Sequence, residues 1–376
     1  VARDAEEDRL TMWERILSLI VKELLALTRD PRGRLVLVAP PLIQLFVFTF
    51  AATLEVRNVD IAVVNLDHGR WGREIVARME ATSTFDEVIV LSSVGEITDV
   101  IDSGRALAAI HIPQDFSRDI EAGRTAHTQI VLDGRRANAA QILFGYINRI
   151  VAGVGATARP LPVLTDGVVR HWFNPNLVYR WFMVPALLAM ITMLTAIVVT
   201  TLSIAREREL GTFDQLLVSP LNQTEIMLGK IAPGFLISAL QGTIFIALAV
   251  FALGVPLLGS LPLLYLAMVF FLAAVLGVGL FISAISATQQ QAIIGAFAFI
   301  APAIMLSGFG APVENMPEWL QAFTMINPLR HFLVIVHGVF LKDMPALEIL
   351  SNTAPLIIIA SITLPAAAWM FRARTQ

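Results

Sequence analysis

Residues 206–220 read RERELGTFDQLLVSP, a charged island between two apolar runs at 181–204 and 226–253. Each run exceeds the roughly 20 apolar residues that cross a bilayer. Four alternating charges cannot remain in hydrocarbon, so Arg206, Glu207, Arg208 and Glu209 mark a water boundary. A turn at Gly211 follows, and then a short helix. Thr212 and Gln215 have capping-box spacing, with a hydroxyl for one orphan N–H and an amide three residues on. Phe213, Leu216 and Leu217 fall on one face at i, i+3 and i+4. Ser219-Pro220 ends the helix, because proline disfavours helical backbone in the residue before it. The stretch reads as a compact amphipathic knob joined without slack to two spans. An ordinary polar loop would carry the same charges; the capped apolar face and the closing Ser-Pro favour a docking element.

The rest of the chain is organised around that stretch. Of 376 residues 56% are hydrophobic and 15% charged, against about 25% charged in an average soluble chain. This is the composition of a polytopic membrane protein. A net charge of −3 gives no sign of a nucleic-acid partner. With no Cys, disulfides, thiolate catalysis and Cys-ligated metal are excluded.

In residues 1–34, Trp13, Ile16, Leu17, Ile20, Leu24 and Leu27 line one helical face, while Glu14, Arg15, Lys22 and Glu23 face elsewhere. The pattern predicts an amphipathic helix lying among lipid headgroups. Residues 35–54 form the first expected span, with Pro40-Pro41 and the polar Gln44 inside it. Residues 55–176 read as an inserted soluble domain. Val- and Ile-rich runs at 60–65, 85–91, 106–112 and 128–132 alternate with helical stretches at 71–81, 96–103, 115–122 and 138–154, the pattern of an α/β layer. Residues 177–376 carry the other five expected spans, at 181–204, 226–253, 261–285, 292–309 and 349–371, with the coupling loop at 205–225. The semi-polar segment 310–345, broken by Pro312, Pro317 and Pro328, predicts short helices that re-enter the membrane. The expected fold class is thus an α-helical polytopic membrane protein of six transmembrane helices, with an α/β extracytoplasmic domain between helices 1 and 2.

Orientation follows from positive charge. Arg15, Lys22, Arg29, Arg32 and Arg34 precede the first span; Arg206, Arg208 and Lys230 lie between the second and third; Arg372 and Arg374 follow the last. The positive-inside rule puts all three groups, and both termini, in the cytoplasm.

No expected span carries an ionisable residue near its centre, which argues against an ion-coupled carrier. There is no H-E-x-x-H string. Gly229-Lys230-Ile231 resembles the end of a phosphate-binding loop, but Thr224 stands where a glycine is needed and Ile231 where the Mg²⁺-binding hydroxyl belongs. The expectation is no catalytic residue, no metal and no cofactor on this chain. His68, His111, His127 and His171 are scattered without ligand spacing. Gln44 and Gln241 are the amides well inside the spans; with the flexible Met193 and Met305 they are candidates for a substrate path.

The opening stretch resembles the cytoplasmic loop of ABC-2-type transporter permeases, where R-E-R-E-x-G-T-x-x-Q-L-L-V-[ST]-P recurs. Residues 112–117 (IPQDFS), 172–185 (WFNP to FMVP) and Asn327-Pro328-Leu329-Arg330 are similar to further strings of that family. The resemblance covers most of the chain and implies the permease subunit of a bacterial inner-membrane exporter, moving an amphipathic or hydrophobic substrate. It implies that Arg206, Glu207, Arg208, Glu209, Thr212, Phe213, Gln215, Leu216 and Leu217 couple to a cytoplasmic ABC ATPase dimer, which binds ATP and Mg²⁺. A second permease subunit, identical or paralogous, and an extracytoplasmic adaptor protein are further implied partners. Two alternatives stand beside it. One is a membrane-anchored receptor or scaffold working through the inserted domain. The other is a membrane enzyme using acidic residues such as Glu314 and Glu318.

Overall fold

A computed structural model describes residues 12–29, 39, 41–47, 59–82, 84–158, 172–174, 178–213, 218 and 221–373, without the side chains of 27, 28, 137 and 138. The chain divides into two compact units, Thr53–Arg170 and the remainder.

The first unit holds β1 (Val59–Asn65), α2 (Arg70–Glu80), β2 (Phe85–Leu91), α3 (Glu96–Asp102), β3 (Ala108–Ile112), α4 (Phe116–Glu121), β4 (Gln129–Leu132) and α5 (Ala137–Ala158); α1 precedes them in the other unit. The sheet order is β2-β1-β3-β4, with β1 parallel to both neighbours and β4 antiparallel to β3. Side chains alternate across a strand, and both sheet faces are covered. Ile61, Val63, Ala108, Ile110 and Ile112 pack with Trp71, Ile75 and Met79 of α2 and Leu143, Ile147 and Val154 of α5. Ala62, Val64 and Ala109 pack with Ile97, Val100 and Ile101 of α3. Central parallel strands are apolar for this reason.

The turn from β1 into α2 closes around Asp67. Its Oδ1 accepts the Gly69 N–H at 3.2 Å; its Oδ2 accepts the Gly72 N–H at 3.0 Å and the Ser117 hydroxyl at 2.5 Å. Ser117 Oγ in turn accepts the Trp71 N–H at 2.9 Å. A carboxylate thus satisfies orphan donors at the helix start. Gly72 is required there: a Cβ would come within 2.6 Å of Asp67 Oδ2 and 2.9 Å of Asn65 Oδ1.

The second unit is a helical bundle: α1 (Met12–Arg29), α6 (Tyr179–Glu209), α7 (Gln223–Ala247, continued by a π-helical turn Leu248–Ala252), α8 (Leu261–Ile285), α9 (Gln289–Met305), α10 (Glu318–Thr324), α11 (Pro328–His337, continued by a π-helical turn Gly338–Lys342) and α12 (Ala346–Ala373). Across the two units five described helices are long and apolar enough to span a bilayer, or up to six if the α10–α11 pair counts as one bent span. The protein is accordingly a polytopic helical membrane protein.

The span inventory differs from the sequence expectation in three ways. The fifth expected span, 292–309, is the 17-residue α9, short of the usual ~20. Segment 310–345 contains α10 and α11 meeting at an 80° bend; Asn327 makes the corner, accepting the Leu329 N–H and donating to Ala303 O at 2.7 Å. Finally, Ala139–Ala158 qualifies on length and hydropathy, yet its buried face belongs to the sheet core. Most of the first expected span lies outside the described residues; 41–47 are helical, and Leu45 packs into the bundle core.

Two glycine seams set the bundle's spacing. On α7, Gly234, Ser238 and Gly242 recur every fourth residue. A Cβ at Gly234 would lie 2.6 Å from Thr200 Oγ1, and one at Gly242 would lie 3.1 Å from Thr192 Cγ2. Small residues at this spacing let helices approach closely in lipid, where dispersion rather than burial drives association. On α8, Gly277 meets α12 so closely that a Cβ would be 2.9 Å from Leu364 N.

Candidate functional site: the elbow at the end of α6

The charged island is not a loop after a span. Helix α6 runs unbroken through Arg206, Glu207, Arg208 and Glu209, because no breaker precedes Gly211 and the arginines suit the negative end of the helix dipole. Gly211 ends it at φ +71°. Its N–H donates to Arg208 O and the Thr212 N–H to Glu207 O, the double bond pattern of a glycine C-terminal cap. Thr212, expected to cap the following helix, serves the preceding one; its hydroxyl also reaches Glu207 O at 3.4 Å. Gln215, Leu216 and Leu217 lie outside the described residues.

Three of the four charges turn inward, each to a different helix. Glu207 Oε1 lies 2.7 Å from Lys230 Nζ of α7 and 3.1 Å from Lys22 Nζ of α1. Arg208 donates to Ala284 O at 2.8 Å and Ser286 O at 3.2 Å, covering the last carbonyls of α8. Glu209 accepts the Gln289 N–H at 2.9 Å at the start of α9. Phe213 is buried beneath the Arg208 guanidinium, 4.9 Å from ring centre to Cζ, and meets Phe371 of α12 edge to face at 5.9 Å. With Leu19, Ile204, Ile226, Leu280 and Ala367 these rings form a separate apolar cluster. The expected exposed ion pairs, worth under ~1 kcal/mol each, are instead part of a junction where six helices end or begin.

Lys230 is the centre of that junction. It is 1% exposed and 2.7 Å from both Glu207 Oε1 and Glu23 Oε1. Read from the sequence as a surface positive charge, it is a buried one. Its two carboxylates leave no cradle for a phosphate, which disposes of the resemblance at Gly229-Lys230-Ile231. Arg15 adds a second ion pair from α1, at 3.1 Å to Glu225 Oε1, while Glu225 Oε2 accepts the Asn222 N–H at 2.8 Å to cap α7.

Helix α1 therefore has a packed face that sequence periodicity missed. Ile16, Leu19 and Glu23 are buried; Leu19 fills the space that a side chain at Gly229 would need. Glu23, expected to face away from the packed side, is on it, because Lys230 gives it a partner. Trp13 and Leu17 stay exposed, at 74% and 60%, and Ile20 and Leu24 are half-buried. The substrate-path candidates occupy four helical segments. Met193 is fully buried in the bundle core, Met305 is exposed, and Gln44 and Gln241 are half-buried. Among the described residues no hydrogen bond joins the four. Lys230, Glu23 and Glu225 were missed as site residues; the available signal was a lysine five residues inside an apolar run, which requires a counter-ion.

Comparison with known proteins agrees with this architecture. The description "ABC-2 family transporter protein" matches residues 35–369. The chain is 46% identical to the Escherichia coli protein named "Probable multidrug ABC transporter permease YbhR", over 97% of this chain and all of that one. It is 30% identical to E. coli YbhS, of the same printed description, over 96% of this chain and 95% of that one. It is also 30% identical to "Inner membrane transport permease YhhJ" of E. coli, over 87% and 88%.

Proposed function

The chain belongs to the ABC-2 transporter family, and on that premise we propose that it is the permease subunit of an ATP-driven exporter in a bacterial inner membrane. It moves an amphipathic or hydrophobic substrate outward. A cytoplasmic ATPase dimer supplies ATP and Mg²⁺, and a second permease subunit, identical or paralogous, completes the path. Both termini face the cytoplasm, and the sheet unit lies on the opposite side, where an adaptor protein has access to it.

The observation that carries this reading is the junction at the end of α6. Glu207, Arg208, Glu209 and Phe213 tie α6 to α1, α7, α8, α9 and α12 at one level. A push there reaches the whole bundle. The Gly234–Ser238–Gly242 seam makes α6 and α7 tilt together, and such rigid-body motion is a common switching device. ATP binding closes the ATPase dimer against segment 210–220, and the tilt changes access to a path between the two permeases. The inward-facing charges hold the knob in place, while Leu210, Val218 and Leu216 meet the ATPase. Leu210 is 63% exposed and Val218 86%.

The test is Val218→Asp, with Leu216→Asp beside it, in the complex reconstituted into vesicles. Val218→Asp leaves the thermal unfolding midpoint of the permease unchanged, abolishes co-purification of the ATPase and cuts ATP-driven export about tenfold, the loss of a central interface contact. Full export by both variants would sink the assignment.

A further inference from the structure

We infer that α1 is a detachable strap, docked on the junction through contacts arranged so that its departure leaves the core's charges partnered. The ionic groups that α1 meets each hold a second partner that does not belong to it. Lys230 meets Glu23 of α1 but also Glu207 of α6, both at 2.7 Å. Glu225 meets Arg15 of α1 but also caps the Asn222 N–H at 2.8 Å. If α1 lifts away, Lys230 keeps Glu207 and Glu225 keeps Asn222. On the strap's side, Lys22 is largely solvated already and Arg15 partly so, and Glu23 enters water. A buried ion pair is costly to break when a charge is left alone in the interior; here none is.

The apolar part of the contact is equally separable. Leu19 enters the gap over Gly229 as a single knob, and only Ile16 and Leu19 of the apolar side chains are buried. The exposed Trp13 and Leu17, together with Val21, lie on another side of the helix. That apolar side gives the undocked strap a hold on the lipid surface, as amphipathic helices have. Glu207 is thus a positioning residue of a particular kind: it lets Lys230 release the strap.

Two measurements on the full chain in complex with its ATPase decide the matter; the second rests on the exporter reading and the first does not. The chain lacks cysteine, so Leu19→Cys gives a unique thiol. Maleimide labels it much faster than Ala196→Cys in the bundle core. Adding Glu207→Gln slows Leu19→Cys labelling about tenfold or more, since undocking then strands Lys230; the largely exposed Lys22–Glu207 pair lost in that variant contributes little. Labelling no faster than at Ala196→Cys, or unaffected by Glu207→Gln, would overturn the strap. In the second, Leu19→Cys is combined with Gly229→Cys. A Cβ at Gly229 lies 3.1 Å from Leu19 Cβ, a few tenths of an ångström from the roughly 3.5–4.5 Å of a disulfide. The oxidised complex loses export and reductant restores it. Export at equal rates in both states would show that the strap stays docked during transport. Failure of the unsubstituted complex to export would count against the exporter reading and leave the labelling result to decide the strap.

Discussion

Two buried carboxylates, Asp67 in the sheet unit and Glu207 in the bundle, solve the same problem by opposite means. Asp67 is satisfied without any counter-ion, by the Gly69 and Gly72 N–H groups and the Ser117 hydroxyl. Its two backbone donors lie within five residues, and the third sits on the adjoining helix. Glu207 relies on lysines drawn from α1 and α7, of which Lys22 is 185 residues away. Backbone donors are fixed by the turn that presents them, so the Asp67 arrangement has one geometry. Shared counter-ions tolerate exchange, so the Glu207 arrangement has more than one. The first is suited to a rigid scaffold and the second to a joint.

The largest expected effect would break this contrast from the bundle side. Lys230→Met leaves Glu23 and Glu207 buried around an apolar side chain and lowers stability by about 3–5 kcal/mol. Adding Glu23→Gln and Glu207→Gln recovers most of it, because neutral groups need no counter-ion. Thermal unfolding of the detergent-extracted protein reads both; a Lys230→Met protein as stable as the parent would mean that the junction does not depend on charge.

From the sheet side, Asp67→Ala strands two N–H groups and a hydroxyl, at about 3 kcal/mol in all. No compensating partner substitution exists, because the donors are backbone. Hydrogen exchange in the full chain shows the loss confined to the β1–α2 turn, while exchange in α6 and α7 is unchanged. Recovery through a second side-chain change would erase the distinction drawn here.

Glycine substitutions sharpen the comparison at a smaller scale. Gly72→Ala drives a Cβ against Asp67 and Asn65, which are both held in place, and costs about 1–3 kcal/mol. Gly229→Ala meets only the movable Leu19 side chain; it costs less stability but loosens α1, seen as faster proteolysis within residues 12–29. Equal stability losses at the two positions would contradict the difference in rigidity.

The smallest effect concerns Asp133 in the sheet unit. Hydrogen bonds from the Arg135 side chain and then from its backbone N–H hold the Asp133 carboxyl below the usual aspartate value. A group with a lowered folded-state pKa contributes stability above its unfolded value, near pH 4, and loses it as pH falls through the folded value. Asp133→Asn is therefore slightly less stable than the parent near neutral pH, and the gap closes under strong acid. A gap that persists below both values would assign the effect to packing.

These contrasts also explain what was legible in the sequence. The strands of the sheet unit and most helix limits could be read, because alternation and turn residues are local. The turn at Gly211 was legible for the same reason. What could not be read were contacts made between distant segments: Glu23 with Lys230, Leu19 with Gly229, Arg208 with the end of α8. Amphipathic periodicity placed Ile16 with Trp13 and Leu17 on one apolar side of α1, but nothing local says that Ile16 packs on protein. Charges were taken as surface markers, and three of the four in the island are internal fasteners. Helix α5 shows the converse limit, since hydropathy alone cannot separate a span from a helix that covers a sheet.

Helix α6 has 31 residues, about 46 Å at 1.5 Å per residue, against a hydrocarbon slab of roughly 30 Å. It works as an oar longer than the boat is wide. If the blade is the Arg206–Glu209 turn and the hull grips the middle of the shaft, a stroke of ~5° sweeps each tip by about 2 Å in opposite senses. A small movement on one side of the bilayer is then repeated, reversed, on the other, with no signal passed from residue to residue.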